Sequence, residues 1–203
     1  MKHKKTFEEA LEYNPIRPLV RDYMEILPLA RAAGAGHIKT ALQVACARGD
    51  STRQLLRRFD IADLIAVDKN EAMIQLACQK HANLSTDFRV MDIPRLDFPD
   101  GHFDAVFNLA ELHNYAEWQQ SLAEMARVLK SGGLLIMNEL SIESFTYGAG
   151  PYFKRRTDHP YERMFTTEEL QTALGTCGFE ALHFATRNPL RLLQYLIIVA
   201  VKR

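Results

Sequence analysis

Chemistry is first suggested by a run of small residues, Thr40 to Thr52, reading T-A-L-Q-V-A-C-A-R-G-D-S-T. Ala41 to Cys46 is a short apolar run that predicts a buried strand. Ala45, Ala47 and Gly49 then predict a tight turn, and Asp50-Ser51-Thr52 offers the N-cap of a helix. A strand–turn–helix of this kind lets backbone N–H groups and a helix N-terminus approach a ligand closely, as nucleotide-containing cofactors require in α/β sheets. The plain alternative is an ordinary βα turn, because the glycines are too few for a fingerprint. About 20 residues on, Asp68 closes a second apolar run, Ile61 to Val67. An acid placed there can accept from both hydroxyls of a ribose.

These residues need a scaffold, and the rest of the chain predicts one. With 203 residues, the chain suits one domain with a full core. Hydrophobic content of 47% and charged content of 25% are those of a globular protein. Zero formal net charge argues against a general binder of nucleic acid or anionic membrane. Cys46, Cys78 and Cys177 are odd in number and widely spaced, which suggests a reducing compartment. The histidines show no metal-ligand spacing, so no metal is expected. No secretory signal is read at the N-terminus. The most apolar run, Leu192 to Val201, is too short to span a bilayer and reads as a buried strand. A cytoplasmic protein without membrane or nucleic-acid partners is therefore expected.

Residues 6 to 33 predict helix with a break at Asn14-Pro15, with Leu19, Tyr23, Ile26 and Leu27 as a second apolar stripe and Pro28 as a kink or stop. Thr52 to Phe59 predicts a helix, and Asn70 caps another through Lys80, with Ala72, Met73, Leu76 and Ala77 on one side. Phe88 to Met91 and Phe103 to Leu109 predict strands three and four. Trp118 to Leu129 is an amphipathic helix stopped by Ser131-Gly132-Gly133, and Leu134 opens strand five, ending at Asn138-Glu139. Ser141 to Phe165 reads as a long irregular loop carrying Tyr147, Tyr152, Lys154, Arg155, Arg156, His159, Tyr161 and Arg163, either a lid or a solvated excursion. Thr166 to Glu169 is a capping box. Phe179 to Thr186 and Leu192 to Val201 form a closing hairpin. The fold class is α/β: a doubly wound, Rossmann-like three-layer sandwich with a seven-stranded, mostly parallel sheet and an antiparallel terminal strand. Residues 1–37 form an N-terminal helical cap on a core of residues 38–203, with 141–165 as a lid insertion, all in one structural domain.

Two further segments carry a family likeness. Asp92 to Leu109, D-I-P-R-L-D-F-P-D-G-H-F-D-A-V-F-N-L, resembles the D-x-x-x-L-P-F-x-D-x-x-F-D-x-V stretch of class I S-adenosylmethionine-dependent methyltransferases. Glu124 to Gly133, E-M-A-R-V-L-K-S-G-G, is similar to the E-x-x-R-V-L-K-P-G-G of the same family. Phe165 to Glu180 matches a third segment found in its small-molecule members. The resemblance implies S-adenosylmethionine as cofactor and a small-molecule methyl acceptor. It implies that Asp68, with Lys69 beside it, holds the ribose, and that Met73 packs on the adenine. Asp92 would accept from the adenine amino group, with the Ile93 N–H near a ring nitrogen. Asn108 and Leu109 would lie near the methionine part.

The chain departs from the family's first motif, acid-x-G-x-G-x-G, by placing Gln43, Ala45, Ala47 and Gly49 at those positions. Gln43 has no charge for an ammonium group, and two added methyls stand where backbone should come closest. If those alanines need positive φ, each costs about 1–2 kcal/mol. His113, in the segment that small-molecule members place beside the substrate, is the candidate general base, with helix packing as the alternative. Glu111, Glu139 and Tyr147 are weaker candidates. Two other readings stay open: a non-catalytic descendant acting through protein contacts, and an NAD-dependent oxidoreductase.

Overall fold

A computed structural model describes residues 17–34, 36–156, 161–188 and 194–203. Seven strands form one sheet: β1 (Ile38–Val44), β2 (Ile61–Asp68), β3 (Thr86–Val90), β4 (Phe103–Leu109), β5 (Leu129–Glu139), β6 (Phe179–Arg187) and β7 (Tyr195–Lys202). Their order is β3-β2-β1-β4-β5-β7-β6. The pairs from β3 through β5 are parallel, while β7 runs antiparallel to both β5 and β6. This is the expected doubly wound fold. The order reverses between β1 and β4, and at such a switch point the crevice at the carboxyl ends opens for ligands.

The central strands alternate their apolar side chains between two cores, one on each sheet face. Leu42, Val44, Val106 and Met137 belong to one, with the helix Trp118–Val128 packed over them. Ala41, Phe107, Ile136 and Ile197 belong to the other, covered by the helices Asp50–Arg58 and Leu27–Ala33. The two segments that carry the family likeness turn out to hold each other. Arg127 donates to Glu124, to Asp100 and to the Leu96 and Phe98 carbonyls, and Glu124 accepts from the Leu96 N–H at 2.9 Å. The loop after Asp92 is thus clamped to the helix that precedes β5.

Several expectations are corrected. Pro28 does not stop the helix. A π-turn, Asp22–Ile26, precedes it, closed by Leu27 N–H to the Asp22 carbonyl, and the helix resumes at Leu27. The wide turn rotates the apolar stripe, so Ile26 and Leu29 are buried while Leu19 and Tyr23 are 60% and 56% exposed. On the helix Glu71–Lys80, Ile74 and Ala77 are buried, not Ala72 and Leu76. The helix before β5 ends at Val128, and Ser131-Gly132-Gly133 form a bulge inside β5 instead of a helix stop. Gly133 is required there, since a Cβ would lie 2.9 Å from the Lys130 carbonyl oxygen.

Nor is 141–165 irregular throughout. It contains the 3-10 turns Ile142–Phe145 and Tyr161–Arg163 and the helix Gly150–Arg156, with Phe145 packed edge-on against Tyr161 at 4.7 Å. His159, residues 1–16 and Pro189 lie outside the described residues.

Candidate active site

The turn after β1 is strained where alanine replaces glycine. Ala45 and Ala47 have φ of 49° and 46°, and Gly49 has 74°. Left-handed residues at alternate positions coil the chain tightly, and at about 1–2 kcal/mol per alanine the two methyls are costly. Gly49 could not be replaced: beyond its φ, a Cβ would sit 2.8 Å from His81 Cδ2 and 3.2 Å from the Phe88 ring. Gly49 also takes the N-cap position of the helix Asp50–Arg58, with no side-chain cap. The expected cap residues do other work. Ser51 Oγ accepts from Gln43 Nε2 at 2.8 Å, and Thr52 Oγ1 donates to Gln43 Oε1 at 2.7 Å. Gln43 is fully buried, so its amide staples β1 to the helix. Cys46 is buried in the same turn. Burial first, then the Asp68 charge, pushes its thiol up to about 12, which keeps it protonated and unreactive.

Asp68 ties the turn to β2. One oxygen accepts from Ala47 N–H at 2.9 Å and the other from Asn70 N–H at 2.8 Å. Asn70 then caps the next helix through Ala72 and Met73 N–H. Asp68 is only partly buried, and a carboxylate has about four acceptor positions, so two remain for a ligand. Met73 is half-buried and Lys69 exposed, its ammonium 4.6 Å from the Tyr115 ring centre. Asp92 is exposed at the end of β3. It accepts from its own neighbour, Ile93 N–H, at 3.0 Å. Tyr115 lies near this group too: burial, then the Asp92 and Glu111 charges, drive its phenol well above the ordinary tyrosine range.

On the other side of the switch point, Glu139 ends β5 with no solvent exposure. One oxygen accepts from Asn108 Nδ2 at 2.6 Å, Leu112 N–H at 2.7 Å and Glu111 N–H at 2.9 Å. The other accepts from His113 Nδ1 at 2.8 Å and Leu140 N–H at 3.2 Å. Asn108 is buried, and among the described residues its side-chain carbonyl has no hydrogen-bond partner. Leu109 is buried, and Ala110 is the third left-handed alanine, φ 59°, at the same sheet edge.

Residues 42–137 match the protein family described as a methyltransferase domain. The match covers 96 of the 203 residues and makes the chain similar to the class I S-adenosylmethionine-dependent methyltransferases. A demethylmenaquinone methyltransferase of Deinococcus radiodurans is 38% identical over 103 residues, covering 50% of this chain and 43% of that protein. A fatty-acid O-methyltransferase of Mycolicibacterium smegmatis is 34% identical over 101 residues, 50% of this chain and 37% of that protein. The chain thus spans roughly two fifths of the length of these relatives. An N-methyltransferase from Bradyrhizobium japonicum, solved with S-adenosyl-L-homocysteine, shares the fold with a TM-score of 0.69 at 17% identity, covering 95% of this chain and 90% of that one. The methyltransferase of a Haloferax volcanii complex with the Trm112 activator gives 0.73 at 19%, covering 90% and 92%.

In this chain the turn with Ala45, Ala47 and Gly49, Asp68, Lys69, Met73, Asp92 and Ile93 gather along β1, β2 and β3. Asn108, Leu109 and His113 stand beyond them at β4. Tyr115 and Ala110 escape a reading of the sequence. Neither spacing nor composition shows that a tyrosine after a 3-10 turn lies near Asp92, or that an alanine leaves a strand with positive φ. Among the described residues, no three His, Cys, Asp or Glu side chains could hold a metal ion, and no helix is long and apolar enough to cross a membrane.

Proposed function

We propose that the chain transfers a methyl group from S-adenosylmethionine to a small-molecule acceptor. The observation that carries this reading is Asp68, whose carboxylate holds the glycine-like turn in place while keeping acceptor positions open. The residues fit the cofactor. The turn keeps a glycine's left-handed path at both alanines, so its main-chain donors stand where the substitutions alone would have left them in doubt. The buried Asn108 carbonyl, unpartnered among the described residues, supplies an acceptor at the end of β4. When bound, the cofactor supplies a sulfonium-activated methyl group.

In this reading Asp68 takes the ribose hydroxyls, Asp92 and Ile93 the adenine edge, and Met73 and Tyr115 the adenine faces. Gln43 anchors the turn instead of meeting an ammonium. His113 is 3% exposed and committed to Glu139, which weighs against a general-base role and for anchorage of the Glu111–Tyr115 segment. Positioning then supplies most of the rate. The helix within 1–37 caps one sheet face, and 141–165 forms a lid at the carboxyl edge, presenting the exposed Tyr147 and Tyr152. The names of the relatives point to fatty acids or demethylated quinones as acceptor classes.

The test is transfer of label from methyl-labelled S-adenosylmethionine to a panel of fatty acids and demethylated quinones. Labelled organic product is expected with the wild type and not with Asp68→Ala. No labelled product from any member of the panel, under conditions where the cofactor binds, would count against the small-molecule reading.

A further inference from the structure

A cavity of about 620 Å³ opens between the N-terminal helix and the β6–β7 hairpin. We infer that it binds a small hydroxylated carboxylate.

The position comes from strand register. Tyr195, the first residue of β7, pairs with Arg187, the last of β6, and Leu196 pairs with Glu139 at the end of β5. The cavity therefore lies at the carboxyl edge of the sheet, the edge that carries Asp68 and Asp92. At about 4.8 Å per strand, β7 is roughly 10 Å from β4 and β6 roughly 14 Å. A molecule bound there with a body of that length reaches the region of Asn108.

The wall is built by the break in the helix. Pro28 has no N–H, so the Met24 carbonyl one turn earlier lacks its usual helical partner. The Tyr195 hydroxyl donates to that carbonyl instead, pinning the π-turn to β7. Burial pushes the Tyr195 phenol up to about 12, so it remains a donor in this bond. Tyr23, Met24, Pro28 and Ala32 give the cavity an apolar flank.

The chemistry comes from four side chains on its lining. Arg31 and Arg187 both face it, and among the described residues neither guanidinium has a hydrogen bond or ion pair. Glu25 is the carboxylate near this cavity, acting on Tyr195 together with Arg187, and it also accepts from Asn138 Nδ2 at 3.4 Å. Two guanidinium groups against one committed carboxylate favour an anion. His183 Nε2 and Asn188 Oδ1 are both buried, and among the described residues neither has a partner. A buried polar atom left unmatched is costly, so a ligand that satisfies both is selected. An imidazole N–H suits a carboxylate oxygen, and the amide carbonyl suits a hydroxyl donor. A hydroxy acid with an apolar body meets all four groups.

The experiment is calorimetric titration of the whole chain with mandelate, with its neutral methyl ester and with inorganic phosphate, followed by S-adenosylmethionine as a separate titrant. Mandelate is expected to bind the wild type at least tenfold more tightly than the ester or phosphate. The double variant Arg31→Ala, Arg187→Ala is expected to lose that binding yet keep the S-adenosylmethionine affinity of the wild type, which also shows that it folds. Arg187→Lys should restore part of the loss when returned to the Arg31 background. No mandelate binding at millimolar concentration, equal binding of the ester, tighter phosphate binding, or a double variant that binds mandelate like wild type would each overturn the inference. A chain that binds mandelate but not S-adenosylmethionine would leave this site standing and sink the methyltransferase activity. The opposite result would do the reverse.

Discussion

Asp68 and Glu139 are two carboxylates at the same edge of the same sheet, and they are held differently. Asp68 is partly open to water and accepts two backbone N–H groups, one per oxygen. Glu139 is fully buried and accepts from five donors, three of them backbone. A carboxylate with spare lone pairs can exchange water for ligand hydroxyls at small cost. One whose positions are all taken cannot change partners without stranding buried N–H groups. In the proposed reading the β1–β3 side is therefore the ligand side, and the Glu139 cluster is the frame that fixes the path of Asn108 to His113.

Stability measurements can break this contrast. Glu139→Ala strands several buried donors at once and is expected to cost about 3–5 kcal/mol, read from urea denaturation. Asp68→Ala should cost clearly less, because water can reach the donors it releases. If the two losses are equal, or Asp68→Ala is the worse, the division into ligand side and frame fails. A smaller effect of opposite sign sharpens the picture of the turn. Ala45→Gly and Ala47→Gly relieve left-handed strain and should each stabilise the fold by about 1 kcal/mol, net of the extra freedom glycine gives the unfolded chain. A loss of stability in both would show that the turn is not strained.

The smallest effect belongs to the opposite edge of the sheet, where Asp104 is held by Lys130 at 2.6 Å and by the Thr40 hydroxyl and N–H. The Lys130 hydrogen bond is the main cause that lowers its carboxyl from 3.8 to about 2. Because the folded value is the depressed one, this stabilisation is complete above the unfolded value of 3.8 and disappears as pH falls through about 2. Asp104→Asn should be less stable than wild type near neutrality, and the gap should close across that acid window in urea midpoints taken against pH. A gap that widens on acidification would contradict the assignment.

Much of the fold was legible in the sequence because its signals are local. Phe103–Leu109 stands as a strand with the boundaries its apolar run predicts, Asn70 caps its helix, and Thr166 with Glu169 forms the expected capping box. What was not legible depends on tertiary geometry. The π-turn before Pro28 moves Leu19 and Tyr23 outward, and no periodicity count anticipates an extra residue in one turn. The Gly-Gly after Lys130 looks like a helix stop, yet the strand absorbs it as a bulge because Lys130 and Asp104 hold the register on either side. In the site, Asp68 and Asp92 could be picked out by their places at strand ends. The inward turn of Gln43 and the nearness of Tyr115 to Asp92 could not, since both are set by tertiary geometry.

The most direct test of the ligand side is calorimetric titration of S-adenosylmethionine into wild type and Asp68→Ala under identical conditions. Two charge-assisted hydrogen bonds at about 1.5–3 kcal/mol each predict measurable wild-type binding and a loss of about 100-fold or more in the variant. A variant that binds like wild type, or a wild type that shows no heat at millimolar ligand, would contradict the placement of the cofactor on Asp68.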